Sequence, residues 1–198
     1  MNTQRLNTTK WYYPSWWKGP EGTNHMFFGF TDMLKELKNL KGNNSTMIEI
    51  GSYMGESTML FASSNIFNKI YTIDPHDGIE EFNERENITW GEVINEYELN
   101  TRYFDNIELI SDYSYNVVDR FDDNSIDFIY IDGRHDYESV KRDLKLYLPK
   151  LKLNGIIGGH DYSEKQWPDV YKAVNEVMGE PDKVFIDTSW ISKKKSVI

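Results

Sequence analysis

From Met47 onward the chain alternates short apolar runs of strand length with longer amphipathic stretches of helical spacing. That alternation confines it to βαβ architectures built on a mainly parallel sheet with helices on both faces. Met47 to Ile50 is a strand that ends at Gly51, and Glu56 to Ser64 is a helix with Leu60 and Phe61 facing inward. Lys69 to Ile73 is a second strand, closed by Asp74-Pro75, because proline has no amide to offer a ladder. A loop follows from Pro75 to Ile88. Thr89 and Glu92 form a capping box, and Trp90, Val93, Ile94, Tyr97, Thr101 and Phe104 then recur at helical spacing, which predicts a helix from Trp90 to Phe104. Ile107 to Ile110 and Ile126 to Ile131 are strands, the second apolar enough for a sheet centre covered on both faces. Asp136 caps a helix with Val140, Leu144, Tyr147, Leu148 and Leu151 inward, and Gly155 to Gly159 is the next strand. Pro168 opens another helix, and Val184 to Asp187 and Trp190 to Val197 read as closing strands. Phe27, Phe30, Leu34 and Leu37 carry a helix ahead of the first strand.

Composition removes several function classes. The chain has no cysteine, so a disulfide framework, a zinc ribbon and a thiol nucleophile are all excluded, and a cytosolic compartment is expected. A formal net charge of -10 argues against nucleic acid, which is held by clustered Lys and Arg. The basic run Lys193-Lys194-Lys195 reads as a solvated turn or tail. No apolar run approaches the roughly 20 residues that cross a bilayer, and Met1 to Lys10 is polar where a signal peptide is apolar. A soluble, unprocessed chain is expected. Its 198 residues carry no repeat or linker, and one domain is expected over 1–198, with an aromatic segment and helix in 1–45 and the core in 46–198. The segment Trp11-Tyr12-Tyr13-Pro14-Ser15-Trp16-Trp17 either packs against the core or a second copy of the chain, or covers a substrate.

Open parallel sheets bind ligands beyond the carboxyl ends of their strands, so those ends are where chemistry is expected. They carry Glu49 with Gly51-Ser52-Tyr53-Met54-Gly55, then Asp74, then Ser111-Asp112, then Asp132-Gly133-Arg134-His135, then His160-Asp161. A dinucleotide fingerprint needs three glycines at fixed offsets, and the first turn supplies two, followed by Glu56, which would repel a pyrophosphate. The turn suits a nucleoside with a positively charged group. Asp74 is placed for a ribose diol and Glu49 for an ammonium, and S-adenosylmethionine has both features and no phosphate.

The segments Glu49-Ile-Gly51-Ser-Tyr-Met-Gly55-Glu-Ser57-Thr58, Ile73-Asp74-Pro75, Ile131-Asp132-Gly-Arg-His135-Asp-Tyr137 and Gly159-His160-Asp161-Tyr162 resemble class I S-adenosylmethionine-dependent methyltransferases. Within them the chain is similar to the small-molecule O-methyltransferase branch that includes catechol, macrolide-sugar and cephalosporin-hydroxylase-like enzymes. The resemblance implies a Rossmann-like, mostly parallel seven-stranded α/β sheet whose last strand inserts antiparallel. It implies that Glu49, Gly51, Ser52, Gly55, Ser57 and Thr58 hold the methionine and ribose end, Asp74 the ribose hydroxyls, and Ser111 with Asp112 the adenine edge. Ser57 and Thr58 are also ordinary helix-start residues, and Asp112 an ordinary turn acid.

Metal-dependent members of that branch place one acid at the end of the fourth strand and two ligands at the end of the fifth. Here those positions hold Asp132, His160 and Asp161, a set that suits Mg²⁺, Mn²⁺ or Fe²⁺. The alternative is that Asp132 accepts from the cofactor's amino group while His160 and Asp161 line the acceptor pocket. His135 stands where catechol-type enzymes carry a catalytic lysine; it is either a general base, with Asp132 and His160 beside it, or merely the start of the next helix. The function expected is methyl transfer from S-adenosylmethionine to a hydroxyl of a small molecule such as a sugar. The rivals are a nicotinamide-dependent oxidoreductase or epimerase on a similar sheet, and a non-catalytic nucleoside-binding module.

Overall fold

The computed structural model describes residues 25–77 and 88–194. The aromatic segment at 11–17, most of the loop expected from Pro75 to Ile88 and the end of the basic run lie outside them. The elements, in chain order, are α1 (His25–Lys41), β1 (Ser45–Ile50), α2 (Glu56–Ser63), β2 (Phe67–Ile73), α3 (Trp90–Thr101), β3 (Ile107–Ile110) and α4 (Ser114–Val117). Then come β4 (Ile126–Ile131), α5 (Tyr137–Tyr147), β5 (Leu151–Gly159), α6 (Pro168–Met178), β6 (Lys183–Val184) and β7 (Trp190–Lys193). Among the described residues they build a seven-stranded sheet of order β3-β2-β1-β4-β5-β7-β6. β7 runs antiparallel to both β5 and β6, and the remaining pairs are parallel. This is the Rossmann-like sheet with an inserted antiparallel strand. No helix of the described residues is long and apolar enough to cross a membrane.

Strand periodicity sorts the side chains into two cores. Along β4, Phe128 and Tyr130 face α1 and α2, where Phe30, Met33, Leu34, Leu37, Leu60 and Phe61 cover them. Ile129 and Ile131 face the other way, onto Val140, Leu144 and Tyr147 of α5 and Val170, Ala173 and Val174 of α6. Each such side chain, fully buried, contributes roughly 1.5 to 3 kcal/mol, so the apolar runs of the central strands fix the layering. Asp127 survives in β4 because its carboxylate accepts from Thr46 N at 3.0 Å and pairs with Lys152 at 2.9 Å.

Several boundaries differ from the periodicity. The capping box at Thr89 and Glu92 forms, yet α3 stops at Thr101. Leu148 and Leu151 are not on the face of α5. Pro149 cannot donate to a helical ladder, Leu148–Lys150 tightens into a 3₁₀ turn, and Leu151 opens β5 opposite Ile126. The strand expected over Val184 to Asp187 keeps only Lys183–Val184, because Thr188 takes φ +70° and closes a turn from Phe185 to Ser189.

Candidate functional site

The first half of the site is the turn from β1 into α2. Gly51 has φ +86°, and a Cβ there would lie 2.2 Å from the carbonyl oxygen of Asp132. Gly55, the residue before α2, has φ +80° and packs against Tyr97. Only glycine meets both demands at Gly51, and the tight path brings the turn's amides to the end of β2. There Asp74 Oδ2 accepts from Ser52 N at 2.8 Å and Tyr53 N at 2.7 Å, while Oδ1 accepts from His76 N at 2.7 Å. Sequence reasoning passed over His76. It is buried, and its Nε2 donates to Tyr53 O at 2.9 Å, so Asp74 and His76 together tie the end of β2 to the turn. The signal available was a histidine two residues past the acid that closes the strand.

Glu49 is fully buried on the α2 side of β1. Ser57 Oγ donates to its Oε1 at 2.6 Å, and Thr58 Oγ1 donates to its Oε2. Burial pushes the carboxyl up to about 7 against the pull of the Ser57, Thr58 and Thr72 hydroxyls. Ser57 and Thr58 therefore point at Glu49, beneath the turn. At the end of β3, Ser111 is exposed, and Asp112 Oδ1 accepts from Tyr113 N at 2.7 Å and Asn116 Nδ2 at 2.8 Å.

The second half lies at the ends of β4 and β5. Asp136 takes the helix-capping role, accepting from Ser139 N at 2.9 Å, which leaves His135 outside α5. His135 Nε2 lies 3.0 Å from Asp161 Oδ2 and 3.7 Å from Asp132 Oδ1. Trp167, just ahead of α6, packs its half-exposed ring 4.7 Å from the imidazole. Burial alone would lower the pKa of His135, but Asp132 and Asp161 offset it and hold it above the ordinary histidine value.

His160 sits deeper. Its Nδ1 lies 3.0 Å from Asp161 Oδ1, and its Nε2 faces the fully buried Asp187 at 3.9 Å. Burial lowers its pKa, while the bond to Asp161 and the charges of Asp132, Asp161 and Asp187 raise it, with a net value of about 9. The His/Asp cluster suited to a metal is accordingly Asp132, His135 and Asp161, whose ligand atoms lie within 4.8 Å of one another. It differs from the expected set of Asp132, His160 and Asp161 because the free nitrogen of His160 is turned toward Asp187.

A family model for a methyltransferase domain matches residues 48–162, from β1 through the turn that holds His160 and Asp161. The chain belongs to the S-adenosylmethionine-dependent methyltransferases. The nicotinamide-dependent alternative is thereby overturned. Uncharacterized protein R132 of Acanthamoeba polyphaga mimivirus is 29% identical to this methyltransferase over 167 residues, covering 80% of this chain and 69% of R132. Among solved structures the TDP-rhamnose 3′-O-methyltransferase CalS11 of calicheamicin biosynthesis is similar, with TM-score 0.57, 16% identity and coverage of 96% of this chain and 92% of CalS11. An rRNA methylase from Streptococcus thermophilus has TM-score 0.56 and 18% identity, covering 84% of this chain and 97% of that one. Two such different acceptors on one sheet mean that the fold does not choose the acceptor.

The methyltransferase's first half fits the family's cofactor. It offers the acids Asp74 and Asp112, which suit ribose hydroxyls and a cation, with the hydroxyl of Ser52, whereas Glu49, expected to meet an ammonium, is fully buried with its oxygens bonded to Ser57 and Thr58 beneath the turn. Ser52 Oγ is buried with no hydrogen-bond partner among the described residues, as expected of a group that a ligand completes. A carboxylate has about four acceptor sites, and three amides occupy Asp74, so it keeps capacity for a ribose hydroxyl. Asp74→Ala is expected to weaken S-adenosylhomocysteine binding by about tenfold or more, since charged hydrogen bonds contribute roughly 1.5 to 3 kcal/mol. Asp74→Asn, which keeps an acceptor for the turn, separates loss of the turn from loss of the ligand contact. Calorimetry giving unchanged affinity in both variants would remove Asp74 from the site.

Proposed function

We propose that the enzyme methylates a hydroxyl oxygen of a small, ring-bearing acceptor such as a sugar, with His135 as general base. The observation that carries this reading is His135 itself, freed from α5 by the Asp136 cap, held between two carboxylates and flanked by Trp167. Bound S-adenosylmethionine supplies an electrophilic methyl group on a sulfonium. With Nε2 turned to the carboxylates of Asp161 and Asp132, His135 Nδ1 takes the proton of the acceptor hydroxyl as that oxygen forms its bond to the methyl carbon, and the sulfur–carbon bond breaks with its electron pair on sulfur. Asp132 and Asp161 stabilise the imidazolium that results. Trp167 offers a flat apolar face to the ring of the acceptor, so aligning the oxygen with the methyl group supplies much of the rate. An acceptor panel that includes sugar nucleotides, the class named for CalS11, tests the reading. Turnover confined to amines or nucleic acid would overturn it.

A second reading is favoured by the convergence of Asp132, His135 and Asp161 on one point. Two carboxylates and one imidazole fit Mg²⁺, Mn²⁺ or Fe²⁺, which would orient the acceptor oxygen and lower its pKa. Exhaustive chelation decides between the two. Under the base mechanism the chelated enzyme retains full activity. Loss of turnover that a divalent ion restores makes the triad a metal site, and Asp161→Ala then loses the ion while keeping the fold.

A further inference from the structure

Beyond the catalytic imidazole, the acids and histidines continue inward as an unbroken alternation of Asp132, His135, Asp161, His160 and Asp187. The carboxylate of Asp161 is shared between two imidazoles: Oδ2 lies 3.0 Å from His135 Nε2, and Oδ1 lies 3.0 Å from His160 Nδ1. Asp161 needs such a clamp. It stands at φ +61°, a backbone region that side chains with a Cβ seldom adopt, in the turn that leaves β5. Without the bond on Oδ1, its carboxylate is free to rotate about its last torsion, and the oxygen facing His135 is no longer defined.

His160 is itself held firmly. Its amide donates to Ile131 O at 3.2 Å, extending the β4–β5 ladder one residue past the strand, and its side chain is nine-tenths buried. Behind it, Asp187 has no exposed side-chain surface, and its oxygens accept from Ser189 N at 3.2 Å and Ser189 Oγ at 2.7 Å. α1 closes over that carboxylate at Gly29, where a Cβ would lie 2.2 Å from Oδ1, so Asp187 has no room to withdraw. The imidazole is thus fixed by its backbone and by Asp161, while the charge of Asp187 faces its other nitrogen from 3.9 Å, beyond hydrogen-bond reach.

We infer that His160 is a positioning residue for methyl transfer: its Nδ1–H fixes the carboxylate of Asp161 so that one oxygen meets His135. His160 touches neither acceptor nor methyl donor. The inference rests on the reading that Asp161 and His135 work together at the reacting oxygen.

The test pairs His160→Leu, which removes the donor, with His160→Asn, whose side-chain amide can donate from close to the Nδ1 position. His160→Leu is expected to lower kcat by about 10- to 100-fold, the scale of a misplaced catalytic group. Acceptor KM and S-adenosylhomocysteine affinity should stay near wild type, and His160→Asn should recover most of the loss. A readout independent of turnover is the nitrogen–proton spectrum of the histidine rings. The chain has four histidines, so the His135 ring is assigned by its disappearance in His135→Ala. Its signals should move in His160→Leu and return to their wild-type positions in His160→Asn. Unmoved His135 signals in His160→Leu, or an equal fall of kcat in both variants, would overturn the positioning role. Normal turnover in His135→Ala would instead show that the site reading underneath has failed. A dead His135→Ala beside a fully active His160→Leu would sink the positioning role alone.

Discussion

His135→Ala is expected to lower the methylation kcat by about 10²-fold or more, the usual contribution of a positioned general base. S-adenosylhomocysteine affinity should change little, because His135 belongs to the β4–α5 turn and its side chain meets Asp132, Asp161 and Trp167 on the acceptor side of the site. That split distinguishes lost transition-state stabilisation from lost binding. The pH profile gives a second check. Asp132 and Asp161 hold the pKa of His135 above the ordinary histidine value in spite of burial. Only the neutral imidazole accepts a proton, so the wild-type rate should be low below that raised pKa, climb as pH passes through it and level off above it. His135→Ala should lose the climb as well as the rate. Normal turnover in the variant, on an acceptor that the wild type methylates, would leave His135 no role beyond preceding α5. A rate that falls in the variant and also in chelated wild type would assign the loss to an ion and not to a base.

The parts of this molecule that could be read from the sequence are those where one physical rule decides. Ile107–Ile110 and Ile126–Ile131 are strands with the bounds that their apolar runs predict; the second is a central parallel strand covered on both faces, and the first is the half-buried edge strand beside β2. The Thr89 capping box is local chemistry and forms as written. Where two rules compete, the reading fails. Leu148 and Leu151 continue the apolar stripe of α5, but Pro149 lies between them and turns the stripe into a strand entry. α4, Ser114–Val117, is a single turn with too few residues to show a period.

The site divides in the same way. That acids and histidines gather at the strand ends follows from parallel topology, and the sequence shows it. Which acid meets which imidazole depends on torsions that spacing does not encode. Asp161 turns through φ +61°, so its two oxygens face two different rings. Asp187, remote in sequence from His135, stands behind His160 because Thr188 breaks the expected strand and directs the acid inward. Trp167 comes to His135 through the loop ahead of α6, a segment whose sequence has no period.

Gly51→Ala should be the most damaging small change in the fold. A side chain at φ +86° costs about 1 to 3 kcal/mol in backbone strain. The new methyl group would also overlap the backbone of β4's end, 2.2 Å from Asp132 O and 2.6 Å from Gly133 Cα. Neither side can give way easily. Asp132 N donates to Ile50 O at 2.8 Å, and Gly51 N donates to Ile73 O at 2.9 Å, so the turn is strapped to β1, β2 and β4 together. Forced shifts of this kind typically cost about 1 to 3 kcal/mol more, out of a total stability of roughly 5 to 15 kcal/mol. For a chain of this size each kcal/mol lowers Tm by about 2 to 4 °C, so a fall of about 4 to 24 °C is expected. Gly42→Ala supplies the control: Gly42 has φ +69° but nothing within 4 Å of the added Cβ, so it carries strain without overlap. Gly51→Ala should melt clearly below Gly42→Ala, and below its own Tm it should still bind S-adenosylhomocysteine poorly, since the displaced turn carries the amides that Asp74 holds. Equal melting temperatures for the two variants would show that β4 yields at this point, and the turn's close approach to Asp132 would lose its place in the account of the site.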